Sequence, residues 1–118
     1  MRIFIADDSF VVRRGLRSIL STEIAWTVCG EAADGTTAIE KTRSLKPDLV
    51  LLDVSLPDMN GLEVATRLRA ELPAIKILVI SQHDSMHLLP VALAAGADGC
   101  VDKACLGTQL LSTIRDLI

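Results

Sequence analysis

The chain has 118 residues, half of them hydrophobic, a formal net charge of −3 and three cysteines. That length supports one domain with a core of its own, and the odd set Cys29, Cys100 and Cys105, with no C-x-x-C pair, argues against a disulfide framework or a zinc site. The acidic balance argues against a direct grip on a nucleic-acid backbone, and no apolar run approaches the ~20 residues of a membrane span.

Residues 2–6 read as a buried strand, and Asp7 and Asp8 interrupt anything resembling a signal peptide, so a cytoplasmic location without a membrane partner is expected. Ser9 is a helix N-cap, followed by Val12, Leu16, Ile19 and Leu20 at helical spacing. Residues 27–33 form a second strand, weakened by Gly30 and Glu31. Asp34 then caps a helix through Ala38, Ile39, Thr42 and Leu45, which Pro47 ends. Residues 48–52 are the third strand. The loop 55–61 leads to a helix with Leu62, Ala65, Leu68 and Leu72 on one face and Val64 beside them, and Asn60 with Glu63 resembles a capping box. Beyond Pro73, residues 75–80 are the fourth strand. Pro90 falls within the next helical stretch, where an interior proline costs ~3 kcal/mol. The regular helix is therefore expected to start near Pro90 and to end at Gly96, the alternative being a helix kinked at the proline. Residues 99–101 are the fifth strand, and Leu106, Leu110, Ile114 and Leu117 stripe the last helix.

Strand and helix alternate five times, which implies an α/β doubly wound parallel sheet with helices on both faces, in one domain spanning 1–118. A core of Val, Ile, Leu and Ala, with Phe4, Phe10 and Trp26 as the aromatics, suits strands buried on both sides.

In open α/β sheets functional groups gather at the carboxyl ends of the strands. Four such exits carry chemistry here: Asp7-Asp8, Asp53, Ser81 and Lys103. Three carboxylates brought together raise one another's pKa unless a cation intervenes. Mg²⁺ suits them, because it takes one or two carboxylates with waters and phosphate oxygens. An Asp can also be a nucleophile that forms an aspartyl phosphate. Ser81 would hydrogen-bond one phosphoryl oxygen and Lys103 would neutralise another. Taken singly, each residue has a plainer reading: a helix cap, a loop serine, a solvated lysine. Their joint placement at strand exits favours phosphoryl transfer, where positioning and charge neutralisation dominate.

The segments Ile-Ala-Asp7-Asp8-Ser, Asp-Leu-Val-Leu-Leu-Asp53 with Leu-Pro57-Asp-Met-Asn-Gly61, Val-Ile-Ser81 and Gly96-Ala-Asp-Gly99-Cys-Val-Asp-Lys103 together resemble a response-regulator receiver domain along the whole chain. The stretch Asp-Asp-Ser-Phe-Val-Val-Arg-Arg-Gly-Leu is most similar to the NarL/FixJ-type (LuxR-helix) transcriptional regulators of two-component systems. The resemblance implies a flavodoxin/CheY-like sheet of five strands in order 2-1-3-4-5. It implies Asp53 as phosphoacceptor, Asp8 and Asp53 as direct Mg²⁺ ligands with the Ser55 main-chain carbonyl, and Asp7 acting through water. Ser81 and Lys103 would contact the phosphoryl group, and a sensor histidine kinase would supply it. Transcriptional control and DNA binding are expected only through a C-terminal effector domain that the sequence does not contain. Two rival readings stand beside this one: a pseudo-receiver serving as a constitutive interaction or dimerisation module, and an aspartyl-phosphate phosphatase. The phosphatase reading is weakened because the first acids are adjacent and there is no cap domain.

Against the family pattern, Cys100 stands where Tyr or Phe is usual, so the aromatic part of the usual switch is missing. Ala104 follows Lys103 where proline with a cis bond is common, and a trans bond is expected, since a non-proline cis bond costs roughly 2.5–4 kcal/mol. Gln82 replaces a small residue; it either covers the site or points to solvent. His83 and Ser55 occupy positions that tune dephosphorylation in the family, although His83, like His87, reads more simply as a solvated histidine. Leu88, Leu89, Val91 and Leu93, with Leu111 and Ile118, exceed one buried stripe and suggest a partner surface or homodimer. Arg13, Arg14 and Arg17 form a basic outer face, read first as a solvated surface and second as a docking surface for a kinase.

Overall fold

The structure, a computed structural model, describes residues 1–82 and 85–118, with the backbone alone at 85 and 86. Five parallel strands, β1 (Arg2–Ala6), β2 (Thr27–Ala32), β3 (Leu49–Asp53), β4 (Lys76–Ser81) and β5 (Gly99–Asp102), lie in the order 2-1-3-4-5. They alternate with helices α1 (Phe10–Leu20), α2 (Gly35–Leu45), α3 (Gly61–Glu71), α4 (Ser85–Ala94) and α5 (Leu106–Leu117). A single 3-10 turn, Lys103–Cys105, precedes α5.

Alternate strand residues must point to opposite faces, and the core divides accordingly. Phe4, Ala6, Val50, Leu52, Ile77 and Val79 meet Ala38, Ile39, Val64, Ala65, Leu68 and Ala92 of α2, α3 and α4. Ile3, Ile5, Leu49, Leu51, Leu78, Ile80 and Val101 meet Leu16, Leu20, Leu110 and Ile114 of α1 and α5. Strands β1, β3 and β4 are buried on both faces, as their unbroken apolar runs require. Gly30, the doubtful residue of β2, sits where the β1–β2 register slips by one. A side chain there would strike Leu45 Cδ1 at 2.8 Å and the Phe4 ring at 3.1 Å.

Two local expectations are corrected. α4 does not start at Pro90: it begins at Ser85 and runs through the proline. Pro90 is the sixth residue of the helix, so its missing N–H removes one hydrogen bond just past a first turn whose N–H groups lack intrahelical partners anyway. The capping box at Asn60 is one-sided. Asn60 Oδ1 accepts from the Leu62 N–H at 2.7 Å, but Glu63 pairs with Arg67 at 3.0 Å on the exposed surface. Leu111 also packs against the core, whereas Val91 (53% exposed), Leu93 (49%) and Ile118 (62%) stay at the surface.

Arg69 holds together a part of the fold that the sequence did not announce. From α3 its guanidinium donates to Gly96 O (2.8 Å), Pro73 O (2.8 Å), Ile75 O (2.7 Å) and Asp98 Oδ2 (2.6 Å). Asp98 in turn accepts the Ile77 N–H at 2.8 Å. The entries to β4 and β5 are thus tied to one side chain. Arg69→Ala is expected to lower unfolding stability by about 2–4 kcal/mol, because several half-buried acceptors lose a charged donor at once. Urea denaturation would measure this, and Arg69→Lys should recover little of the loss, since an ammonium lacks the planar fork.

Candidate functional site

Parity along the strands assembles the site. The odd positions that carry Ile3 and Ile5, Leu49 and Leu51, and Val101 continue to Asp7, Asp53 and Lys103. Register completes the arrangement, because Ala6 pairs with Leu52 and places Asp7 beside Asp53. Asp7 is 1% exposed and Asp53 2%. Lys103 Nζ lies 3.0 Å from Asp7 Oδ2 and 3.3 Å from Asp53 Oδ2. Asp8, one residue beyond Asp7, is exposed. Carboxylate oxygens of Asp7, Asp8 and Asp53 come within 4.8 Å of one another.

The remaining oxygens are held by backbone. Ser9 N–H donates to Asp7 Oδ1 at 2.8 Å while the Ser9 hydroxyl caps α1 through the Val12 N–H at 3.2 Å. Ser55 N–H donates to Asp53 Oδ1 at 3.1 Å. Arg13 Nη1 reaches back from α1 to the Asp7 carbonyl at 2.7 Å, and Arg13 Nε pairs with Glu31 at 3.1 Å. Arg17 joins the same Glu31. The basic face expected of α1 is therefore largely engaged in fixing the first acid pair and β2.

Burial pushes the Asp53 carboxyl above its ordinary value, and the charge of Asp7 pushes the same way; the Ser55 N–H and Lys103 oppose them. On Lys103 burial acts downward, yet hydrogen bonding and attraction from Asp7 and Asp53 leave it raised and charged. One lysine does not offset three acids. Asp7 Oδ2 lies at ion-pair distance from Lys103, but among the described residues it has no hydrogen-bond partner of proper geometry. A buried carboxylate oxygen with only a shared lysine beside it, in a cluster of three acids, fits a hard divalent cation with oxygen ligands.

Ser81 ends β4 on the opposite parity, with Ile77 and Val79. Its Oγ rests 3.9 Å from Cys100 Sγ, on the face covered by α2, α3 and α4. The fold thus brings Asp7, Asp8, Asp53 and Lys103 together and holds Ser81 beside them, turned toward β5. The peptide bond from Lys103 to Ala104 is trans, and Asp102 Oδ1 accepts the Ala104 N–H at 2.8 Å. Gln82 is exposed, as is His87. His83 lies outside the described residues.

Sequence reasoning missed Asp58. From the loop after β3 it accepts the Gly35 N–H (2.7 Å), the Thr36 N–H (2.9 Å) and the Thr36 hydroxyl (2.7 Å). Asp34 takes the Thr37 N–H at 2.7 Å, so two acids share the N-terminus of α2. The Asp58 carboxyl is lowered from 3.8 to about 2, first by the Thr36 hydroxyl and then by the two N–H groups. A depressed carboxyl contributes stability that is complete above its unfolded value and lost as pH falls through its folded one. The stability difference between wild type and Asp58→Asn is therefore expected to hold steady above pH 3.8 and to vanish toward pH 2. Urea midpoints measured across that range test the sign.

The family profile described as "Response regulator receiver domain" matches residues 3–115. The chain is 34% identical over 117 residues to the DNA-binding transcriptional activator DevR/DosR of Mycobacterium tuberculosis, covering 99% of this chain and 54% of that protein. It is 36% identical over 115 residues to the response regulator protein VraR of Staphylococcus aureus, covering 98% of this chain and 55% of that one. A solved two-component response regulator of the LuxR family from Aurantimonas sp. SI85-9A1 superposes with a TM-score of 0.92 at 32% identity, over 98% of this chain and 83% of that structure. The chain spans just over half the length of these two curated relatives. Among the described residues, no helix is long and apolar enough to cross a membrane.

Proposed function

This chain belongs to the response-regulator receiver domain family, and on that premise we propose that Asp53 accepts a phosphoryl group from a phosphohistidine on a sensor histidine kinase, with Mg²⁺ at the acid cluster, to control a transcriptional output. The observation that carries this reading is the buried Asp53 carboxylate, held within ion-pair distance of Lys103 and crowded by Asp7.

In the proposed step an Asp53 oxygen forms the new O–P bond as the P–N bond to the donor histidine breaks, and the imidazole takes up a proton as it leaves. The Ser55 N–H steadies the other Asp53 oxygen. Lys103, already between Asp7 and Asp53, neutralises charge on the transferred group, and the Ser81 hydroxyl donates to one of its oxygens. Asp8, Asp53 and the Ser55 main-chain carbonyl would hold Mg²⁺, with Asp7 acting through water. When bound, the ion would stabilise the charge that develops on the phosphoryl oxygens.

The relatives that share this half of their length include a DNA-binding transcriptional activator. We therefore assign DNA binding to an effector domain following the receiver. The exposed Leu89, Val91 and Leu93 of α4 are the surface assigned to a second copy of the chain. Incubation with Mg²⁺ and acetyl phosphate should add one phosphoryl group by intact mass, and the adduct should be released by hydroxylamine. Absence of both that adduct and any NMR response to beryllofluoride would leave the chain as a constitutive interaction module.

A further inference from the structure

The loop that carries Ser55 is closed on itself and then tied to a second helix. Its ends are joined by the Gly61 N–H, which donates to Val54 O at 2.8 Å, and by an antiparallel bridge between Ser55 and Asn60. Its tip lies on the opening residue of α2. A Cβ at Gly35 would stand 2.3 Å from Met59 Cγ, so only glycine lets the loop come this close. At the same point both Asp58 carboxylate oxygens are engaged. Oδ1 accepts the Gly35 N–H at 2.7 Å, while Oδ2 accepts the Thr36 N–H at 2.9 Å and the Thr36 hydroxyl at 2.7 Å. N–H groups in a first turn lack carbonyl partners within their own helix. Asp58 is exposed, so charge-assisted hydrogen bonds and not burial hold it there. α2 is itself seated on the core through Ala38 and Ile39, which makes it a fixed anchor for a surface loop.

We propose that Asp58 is a positioning residue for the Mg²⁺ site: its clamp on α2 fixes the loop whose Ser55 main-chain carbonyl would complete the ligand set, while its own oxygens stay on the helix. This rests on the Mg²⁺ reading above. Mg²⁺ demands near-ideal octahedral geometry, so a carbonyl on a loose loop serves it less well than one held in place. The three acids draw the ion by charge wherever the loop lies, whereas a neutral carbonyl contributes only when it is correctly placed. The Ser55 N–H, donated to Asp53 Oδ1 at 3.1 Å, belongs to the same stretch of backbone. Aspartate suits the clamp because its two oxygens reach two successive N–H groups, and asparagine offers one acceptor oxygen in their place.

The test is a titration of the chain with Mg²⁺ alone, followed by amide NMR shifts at Asp53 and Ser55 with no phosphoryl donor present. Asp58→Ala is expected to raise the Mg²⁺ needed for half-saturation by about fivefold to tenfold, the lower end of what outer partners of metal ligands contribute. Asp34→Ala is the matched comparison. It strips one acidic acceptor and one charge from the same helix N-terminus but leaves the Ser55 loop clamped. It should lower the urea midpoint, as loss of a cap does, yet keep half-saturation within about 1.5-fold of wild type. Thr36→Val removes one of the three bonds at an exposed position without changing charge, and should shift half-saturation by about threefold. Equal weakening in Asp34→Ala and Asp58→Ala overturns the clamp, because the effect then belongs to α2 or to net charge. Unchanged half-saturation in Asp58→Ala, or in Thr36→Val where Asp58→Ala does not fold, also overturns it and leaves the metal reading standing. Absence of any Mg²⁺-dependent shift at Asp53 in the wild type overturns both.

Discussion

Asp53→Asn is expected to form no acyl phosphate with acetyl phosphate and Mg²⁺, and at the same time to raise the thermal midpoint in Mg²⁺-free buffer. The first effect follows from removing the nucleophile, since an amide oxygen cannot carry a stable phosphoryl ester. The second follows from the field in which Asp53 sits. It is 2% exposed, with its carboxyl pushed up by burial and by Asp7. A group whose folded pKa is raised favours folding when protonated. That contribution is complete below the unfolded value of 3.8 and is lost as pH rises through the raised folded value. At neutral pH the ionised side chain therefore opposes the fold, and a neutral isostere relieves it. Saturating Mg²⁺ should narrow the gap, because a cation stabilises the wild-type acids and not the variant. Intact mass checks the first outcome, and thermal scans with and without Mg²⁺ check the second. A lower midpoint for Asp53→Asn without Mg²⁺ would contradict the electrostatic account.

Gly61→Ala is expected to cost about 3 kcal/mol or more, at the upper end for overpacking because the neighbours are backbone and cannot swing aside. A Cβ at Gly61 would stand 2.1 Å from the Asp53 carbonyl oxygen and 2.8 Å from Val54 Cα. The Gly61 N–H also donates to Val54 O at 2.8 Å, which pins the start of α3 against the exit of β3. Whatever room the variant finds must come from moving the backbone of Asp53 and Val54. Slower adduct formation should therefore accompany the fall in urea midpoint. Gly15 in α1 is the matched control: an added Cβ there meets nothing within 4 Å. Gly15→Ala should gain up to about 1 kcal/mol from helix propensity.

The fold was legible because its signals are local and redundant. β1, β3 and β4 are short apolar runs that lead directly to Asp7, Asp53 and Ser81, and Ser9, Asp34 and Asn60 each accept an N–H in the first turn of a helix. Boundaries drifted by one residue at β2, β3, β4 and β5, where strand ends depend on neighbouring strands. α4 was misread because proline's local penalty was weighed without the packing of the helix on the core through Leu88 and Ala92.

By itself the sequence determined which side chains stand at the strand exits, and so the identity of the acids, the hydroxyl and the lysine. Strand alternation was implicit in it as well. Tertiary structure decided what those groups do to one another. Only the register of β1 against β3 shows that Asp7 crowds Asp53, and only the meeting of β3 and β5 parity brings Lys103 between them. Ser81 turned toward Cys100, Asp58 capping α2 across the loop, and Arg69 clasping four acceptors are likewise contacts between residues distant in sequence. The physical reason is common to all of them. Propensity and capping act over a few residues along the chain, whereas charge, burial and hydrogen-bond partnership depend on which strands lie side by side.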